Sequence, residues 1–251
     1  MDIWQSGLLV LIVALLPILD RRKLAALRRN PGECARLAVY RRSVLTLWIA
    51  TVAVFMAGQE WQVFYMRSPV AEAWRKDHGL LACAAVLVTC AFFLVNTMQG
   101  LACLRDASRR KRIAPAFAPM RFLLPASPVE RRWWILLSLT AGICEELLYR
   151  GFLLHCLLAE WPGGFQPGLL PAWLLGALAF GLAHLYQGWR GVLASTAMGL
   201  VFGLLAIGTG SLFLPIVLHA VIDLQVLWMY RPDLDGDAEK QHFEGTRNFR
   251  A

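Results

Sequence analysis

The chain has 251 residues, of which 58% are hydrophobic and only 17% charged, a balance that argues against a soluble globular protein. Its net charge of +8 must then be crowded into a few loops. Uncharged runs at 3–19, 43–59, 79–104 and 191–218 approach or exceed the ~20 residues that a helix rising ~1.5 Å per residue needs to cross a ~30 Å hydrocarbon core.

Seven spans can be drawn in chain order, at 3–19, 43–60, 79–104, 133–158, 169–187, 190–207 and 211–230. The expected fold class is all-α, a polytopic bundle of about seven transmembrane helices. The first segment lacks a basic n-region and carries Asp2, so it reads as an anchor rather than a cleaved signal. Between the spans, Lys and Arg are distributed unequally. Eight lie in 20–42, from Arg21 to Arg42, and eight in 105–132, from Arg105 to Arg132. Arg190 and the four basic residues after Tyr230 fall on the same side, which makes twenty-one, whereas the other side holds only Arg67, Arg75 and Lys76. That asymmetry places the N-terminus outside and the tail in the cytoplasm, as in a bacterial inner membrane protein. Topology accounts for the basic loops, so no nucleic-acid partner is inferred, and membrane lipids are the expected surroundings.

Six cysteines are scattered without CxxC spacing, which argues against a disulfide framework and a thiolate metal site. The Pro-rich stretch 113–128 reads as a link. It divides an N-terminal three-span region, 1–132, from a four-span core, 133–230, and a cytoplasmic acidic tail follows at 231–251. The tail's Asp233, Asp235, Gly236 and Asp237 lack the spacing of a calcium loop.

Ionisable residues inside spans are the informative violations, because each costs ~2.5–3.5 kcal/mol near the bilayer centre on the lenient insertion scale. The first three spans hold only Glu60, at a boundary. Span four carries Glu145, Glu146 and Arg150, span five His184, and span seven His219 and Asp223. Unpaired, the four charged groups among them would cost roughly 10–14 kcal/mol, so they must share a polar interior. Glu146 and Arg150 stand i, i+4 with the acid first, the favourable order for an ion pair. Glu145 lies about 100° round the helix and is left free. His219 and Asp223 are also i, i+4, so three helices offer Glu145, His184, His219 and Asp223 to a cavity between spans four, five and seven.

The remaining polar features read as structural. His155 and His78 are bystanders, and Asn96, Thr97 and Gln99 are interhelical hydrogen-bonding residues. Ser195, Gly199 and Gly203 form a small-residue packing stripe on span six, and Pro215 loosens the start of span seven.

The three clusters resemble the motifs of the CAAX protease and bacteriocin-processing family (CPBP, also called Abi) of intramembrane proteases. Those motifs are EExxxR, FxxxH and HxxxN or HxxxD on successive helices, and here they read Glu145-Glu146-xxx-Arg150, Phe180-xxx-His184 and His219-xxx-Asp223. The resemblance covers 133–230. It implies hydrolysis of a peptide bond within the membrane, near the C-terminus of a lipidated or membrane-anchored substrate. By that resemblance Glu145 and His184 would activate water, His219 and Asp223 would face the oxyanion, and Glu146 with Arg150 would brace the helix. An ionised Asp223 cannot donate a hydrogen bond, so it is protonated, orients His219, or binds a metal. The favoured mechanism uses no metal or other cofactor. A zinc site with Glu145, His184 and His219 as ligands is the alternative. Two other classes stay open: a catalytically silent scaffold or bacteriocin-immunity protein of the same fold, and a haem or quinone protein with His184 and His219 as ligands.

Overall fold

The computed structural model describes residues 3–56, 75–159 and 165–231, and among them every regular element is helical. We label the helices α1 (Ile3–Arg29, with a π-helical turn at Leu11–Leu15), α2 (Glu33–Met56), α3 (Gly79–Arg105), α4 (Ala107–Phe117), α5 (128–159, with a π-helical turn at Leu147–Leu153), α6 (Phe165–Ala183), α7 (Trp189–Thr209) and α8 (Phe213–Met229). By length and apolarity α1, α2, α3 and α7 suffice to cross a membrane, and α6 and α8 contain shorter apolar helices. Large apolar side chains such as Ile49, Val88, Phe92, Leu94, Leu139 and Leu178 stand exposed on the outer faces, which a water-soluble surface would not tolerate but lipid requires. The protein is an all-helical integral membrane protein.

Each of the seven expected spans has a helix, with boundaries that differ for physical reasons. α1 runs past residue 19 to Arg29, and α2 begins at Glu33 rather than 43, because Arg and Lys are good helix formers whose heads reach water from a helix end. Part of the expected Pro-rich link is helical instead. Asp106 caps α4, accepting from Ser108 N at 2.9 Å and Arg109 N at 3.3 Å. Pro115 lies inside that helix, where it removes one i→i−4 hydrogen bond, and the helix ends two residues later at Phe117. The fifth span stops at Ala183 and passes through a short 3₁₀ turn, Leu185–Gln187, to Gly188 with a φ of 80°. Glu60, Arg67 and the acidic tail lie outside the described residues.

Three close approaches set the bundle. Gly142 on α5 faces Ala220 and the carbonyl of Ile216 on α8, and a β-carbon at Gly142 would come within 2.9 Å of Ala220. Gly199 meets Ala177, and Gly203 meets Trp173, across the α6–α7 contact, the packing role the small-residue stripe predicts. Thr97 on α3 accepts a hydrogen bond from Gln225 on α8 at 3.0 Å, the interhelical role expected for it.

The N-terminal helices are bolted to the rest by a buried ion pair. Glu130, in the first turn of α5, is fully buried and takes Arg36 of α2 at 2.5 Å on Oε1. Its Oε2 accepts from the backbone N–H groups of Ala126 and Ser127, both at 2.7 Å, and Ser127 caps the helix in return. Both carboxylate oxygens are satisfied, which makes the burial tolerable.

Candidate active site

On α5 the α-helix ends at Glu146 and the π-helical turn Leu147–Leu153 takes over. Such turns re-aim side chains within a helix and are frequent at functional sites. Arg150 sits within it, buried, and donates from Nη1 to Glu146 Oε1 at 2.9 Å. The guanidinium also lies over two aromatic faces, 4.2 Å from the Phe180 centroid and 5.5 Å from that of Phe202. Phe180 of the FxxxH motif is thereby part of the seat of the cation.

The expected i, i+4 pair is present, and it has a third member. Glu146 Oε1 also accepts from His219 Nδ1 at 2.8 Å, so a helix-bracing pair becomes a bridge between α5 and α8. Gly142, one turn before Glu146, makes this reachable by letting α8 approach at Ala220, next to His219. The His219 ring is stacked on Phe202, centroids 5.5 Å apart, and meets Phe180 edge-on at 5.9 Å. With Nδ1 engaged, its Nε2 points between two acids, 3.9 Å from Glu145 Oε2 and 3.9 Å from Asp223 Oδ2.

His184 stands at the joint where α6 gives way to the 3₁₀ turn. Its Nδ1 lies 2.9 Å from the Phe180 carbonyl, which can only accept, so the proton is on Nδ1 and Nε2 of the neutral ring keeps its lone pair. Trp134 Nε1 donates to the Asp223 carbonyl at 2.9 Å and anchors the C-terminal half of α8 to α5.

Glu145, His184, His219 and Asp223 all line one cavity of about 190 Å³. Glu146 and Arg150 stand behind its wall. Among the described residues the buried side-chain atoms without a hydrogen-bond partner include Glu145 Oε2, Glu146 Oε2 and Arg150 Nη2. Buried acceptors in native folds are normally satisfied, so a carboxylate with an orphaned oxygen on a residue that lines a cavity, as Glu145 does, is a group available for chemistry. The structure does not hydrogen-bond Glu145 to His184; its nearest ionisable partner is His219. Nor do three donors gather as a metal would need: among the described residues no group of three His, Cys, Asp or Glu is arranged to hold an ion. Glu145, His184 and His219, the ligands of the zinc alternative, share the cavity without forming such a group, and no step is routed through a metal.

The cavity also has walls that the motifs do not announce. Ile12, Leu16, Asp20 and Lys23 of α1 line it, with Ser43 and Leu47 of α2. Their spacing along α1, at 12, 16, 20 and 23, is the i, i+4 stripe of one helix face. That stripe was readable, but a span ended at 19 hides its last two members. Tyr149 and Tyr186 also line the cavity beside this cluster. His155 is not part of it.

The comparisons with known proteins fall on the same part of the chain. A family model described as Rce1-like, type II CAAX prenyl endopeptidase, matches residues 128–225. No curated protein and no solved structure matches the chain. The matched stretch starts at the first residue of α5 and ends two residues past Asp223, so it contains all three motifs, while α1 to α4 fall outside it. Over residues 128–225, well under half of its length, the chain is similar to the Rce1-like family of type II CAAX prenyl endopeptidases.

Proposed function

We propose that this chain is an intramembrane endopeptidase that cuts a peptide bond near the C-terminus of a lipidated or membrane-anchored substrate, using water activated by Glu145. The carrying observation is the orphaned Glu145 Oε2 in a cavity shared with His184, His219 and Asp223. A water beside Glu145 gives its proton to the carboxylate as its own oxygen attacks the scissile carbonyl carbon. His184 Nε2, left as an acceptor by the Nδ1 contact to Phe180 O, orients the water's other hydrogen. The carbonyl oxygen takes the displaced electron pair and becomes an oxyanion. His219 in its protonated form donates through Nδ1 to Glu146 and through Nε2 into the cavity, where it meets that charge. Asp223 orients the Nε2 edge. As the C–N bond breaks, Glu145 returns its proton to the leaving amine.

Glu146 and Arg150 are positioning residues in this scheme. Together they hold His219 by its far nitrogen. The division of the chain into 1–132, 133–230 and 231–251 then separates a region that shapes the cavity from the one that carries the chemistry. The N-terminus faces outward and the tail faces the cytoplasm of a bacterial inner membrane. A phosphatase fusion at residue 240 is expected to be inactive, and an active one would reverse this orientation.

The test is cleavage of a membrane-embedded peptide by purified protein, paired with metal analysis. Glu145→Ala is expected to abolish cleavage, and Asp223→Asn to retain substantial activity, because the amide supplies a permanent donor. Full activity in Glu145→Ala would remove Glu145 from the mechanism, and no cleavage by the wild-type protein would leave a scaffold or immunity protein as the reading. Stoichiometric zinc that disappears in His184→Ala would replace the glutamate mechanism with a metal-dependent one.

A further inference from the structure

The stretch Tyr186-Gln187-Gly188-Trp189-Arg190-Gly191 follows the FxxxH motif directly, and neither the motifs nor the chemistry proposed above uses it. It builds the passage from α6 to α7. Gly188 holds a φ of 80°, a conformation that side chains other than glycine rarely adopt, and α7 starts at the next residue. Gly191, in the first turn of α7, leaves the space that Gln187 fills: a β-carbon at 191 would collide with Gln187 Cβ and stand 2.9 Å from its Oε1. Seated there, Gln187 donates from Nε2 to the Tyr186 hydroxyl at 3.1 Å.

That bond decides what the phenol can do. With a lone pair taken by Gln187, the hydroxyl keeps one hydrogen to give, and a bond accepted strengthens the bond donated. Tyr186 lines the cavity, with its ring 5.8 Å from that of His184 and packed on the cluster of Leu24, Trp134 and Leu227. The charges acting on its hydroxyl are those of Glu145, Asp223 and Asp20. Several other donors of the wall are committed: Trp134 Nε1 to the Asp223 carbonyl, His184 Nδ1 to the Phe180 carbonyl, and Lys23 to Asp20 and Ser43. An oxyanion forming in the company of three acids is disfavoured, and a second donor beside His219 Nε2 offsets that. A donor aimed at the attacking water would instead hold back the lone pair that attacks.

We propose that Tyr186 is a second oxyanion donor. Its O–H donates to the scissile carbonyl oxygen as the C=O electron pair moves onto that oxygen, and it keeps its proton when the pair returns and the C–N bond breaks. This rests on the peptidase reading above. It makes Tyr186 a catalytic residue and Gln187 a positioning residue, and the three motifs contain neither.

The experiment pairs cleavage of a membrane-embedded peptide with binding of its phosphinate analogue, in which a tetrahedral phosphorus bearing an anionic oxygen replaces the scissile carbonyl. Tyr186→Phe keeps the ring against His184. It is expected to lower kcat on the order of 10²-fold and to weaken phosphinate binding by a similar factor, with KM unchanged within about twofold. Gln187→Met keeps the phenol but removes the group that orients it, and should lower kcat and phosphinate affinity together by less than about tenfold. A Tyr186→Phe protein that retains kcat within about twofold of wild type would overturn the proposal. So would a loss confined to KM, which would make the ring a packing contact for the substrate. Phosphinate binding that ignores the hydroxyl, even with kcat reduced, would overturn it as well. Phosphinate bound through Tyr186 by a wild-type protein that cleaves no peptide would keep the anion donor and remove the peptidase reading, so the two failures are distinguishable.

Discussion

Two buried glutamate–arginine pairs in this molecule have similar components and opposite finishes. At the start of α5, Glu130 has both carboxylate oxygens engaged, with Arg36 on one and two backbone N–H groups on the other. Four turns further on, Glu146 carries two donors on one oxygen, Arg150 and His219, and none on the other, and its neighbour Glu145 has an oxygen with no donor at all. Burying a charge costs several kcal/mol, and a fold recovers that cost only by satisfying the group completely. The Glu130 pair is finished in that sense and acts as a rivet between α2 and α5. The Glu146–Arg150 pair is left unfinished, which a structural rivet would not be, and the neighbouring Glu145, also with an orphaned oxygen, lines the cavity. The difference teaches that a buried ion pair is assigned to structure or to chemistry by its unsatisfied atoms rather than by its charge.

The comparison can be broken most forcefully at His219. His219→Ala removes the group proposed to face the oxyanion and is expected to lower turnover ~10² to 10³-fold while the protein still purifies folded. A loss below tenfold would detach His219 from the reaction. Next in size is Glu130→Gln, which strands Arg36 and should destabilise the fold by ~3–5 kcal/mol, read as thermal unfolding in detergent. Turnover per folded molecule should stay near the wild-type value. If turnover falls as much as stability does, the rivet also serves the site and the contrast collapses. Gly142→Ala sharpens the account at smaller scale, because the new β-carbon presses on Ala220 and pushes α8 from α5. A cost of ~1–3 kcal/mol is expected, together with a weakened hold of Glu146 on His219. Unchanged stability and turnover would show that the α5–α8 approach is looser than the geometry implies.

Much of the fold could be read from the residues because lipid imposes strict rules. Uncharged runs give helices, and charges within them must converge, so Glu145, His184, His219 and Asp223 could be placed in one cavity before any coordinates. The Glu146–Arg150 spacing was equally plain. The contact of Glu146 to His219 was not, since it depends on how closely Gly142 lets α8 approach, a tertiary distance that no one-dimensional spacing encodes. The Glu130–Arg36 rivet was hidden for the same reason, and because both residues sit in segments read as basic loops. Asp20 and Lys23 were concealed by the hydropathy boundary at 19. Hydropathy marks where a helix leaves the apolar layer, whereas α1 as a helix continues to Arg29.

The central claim, that adjacent glutamates divide into one held and one free, is tested most directly by comparing Glu145→Gln with Glu146→Gln in the same detergent. Unfolding temperature and cleavage rate per folded molecule are measured for each. The account predicts that Glu145→Gln folds with wild-type stability and is inactive. It predicts that Glu146→Gln loses several kcal/mol of stability, because Arg150 is left uncompensated and His219 loses its acceptor. A Glu145→Gln protein that is the less stable of the two, or that still cleaves, would contradict it.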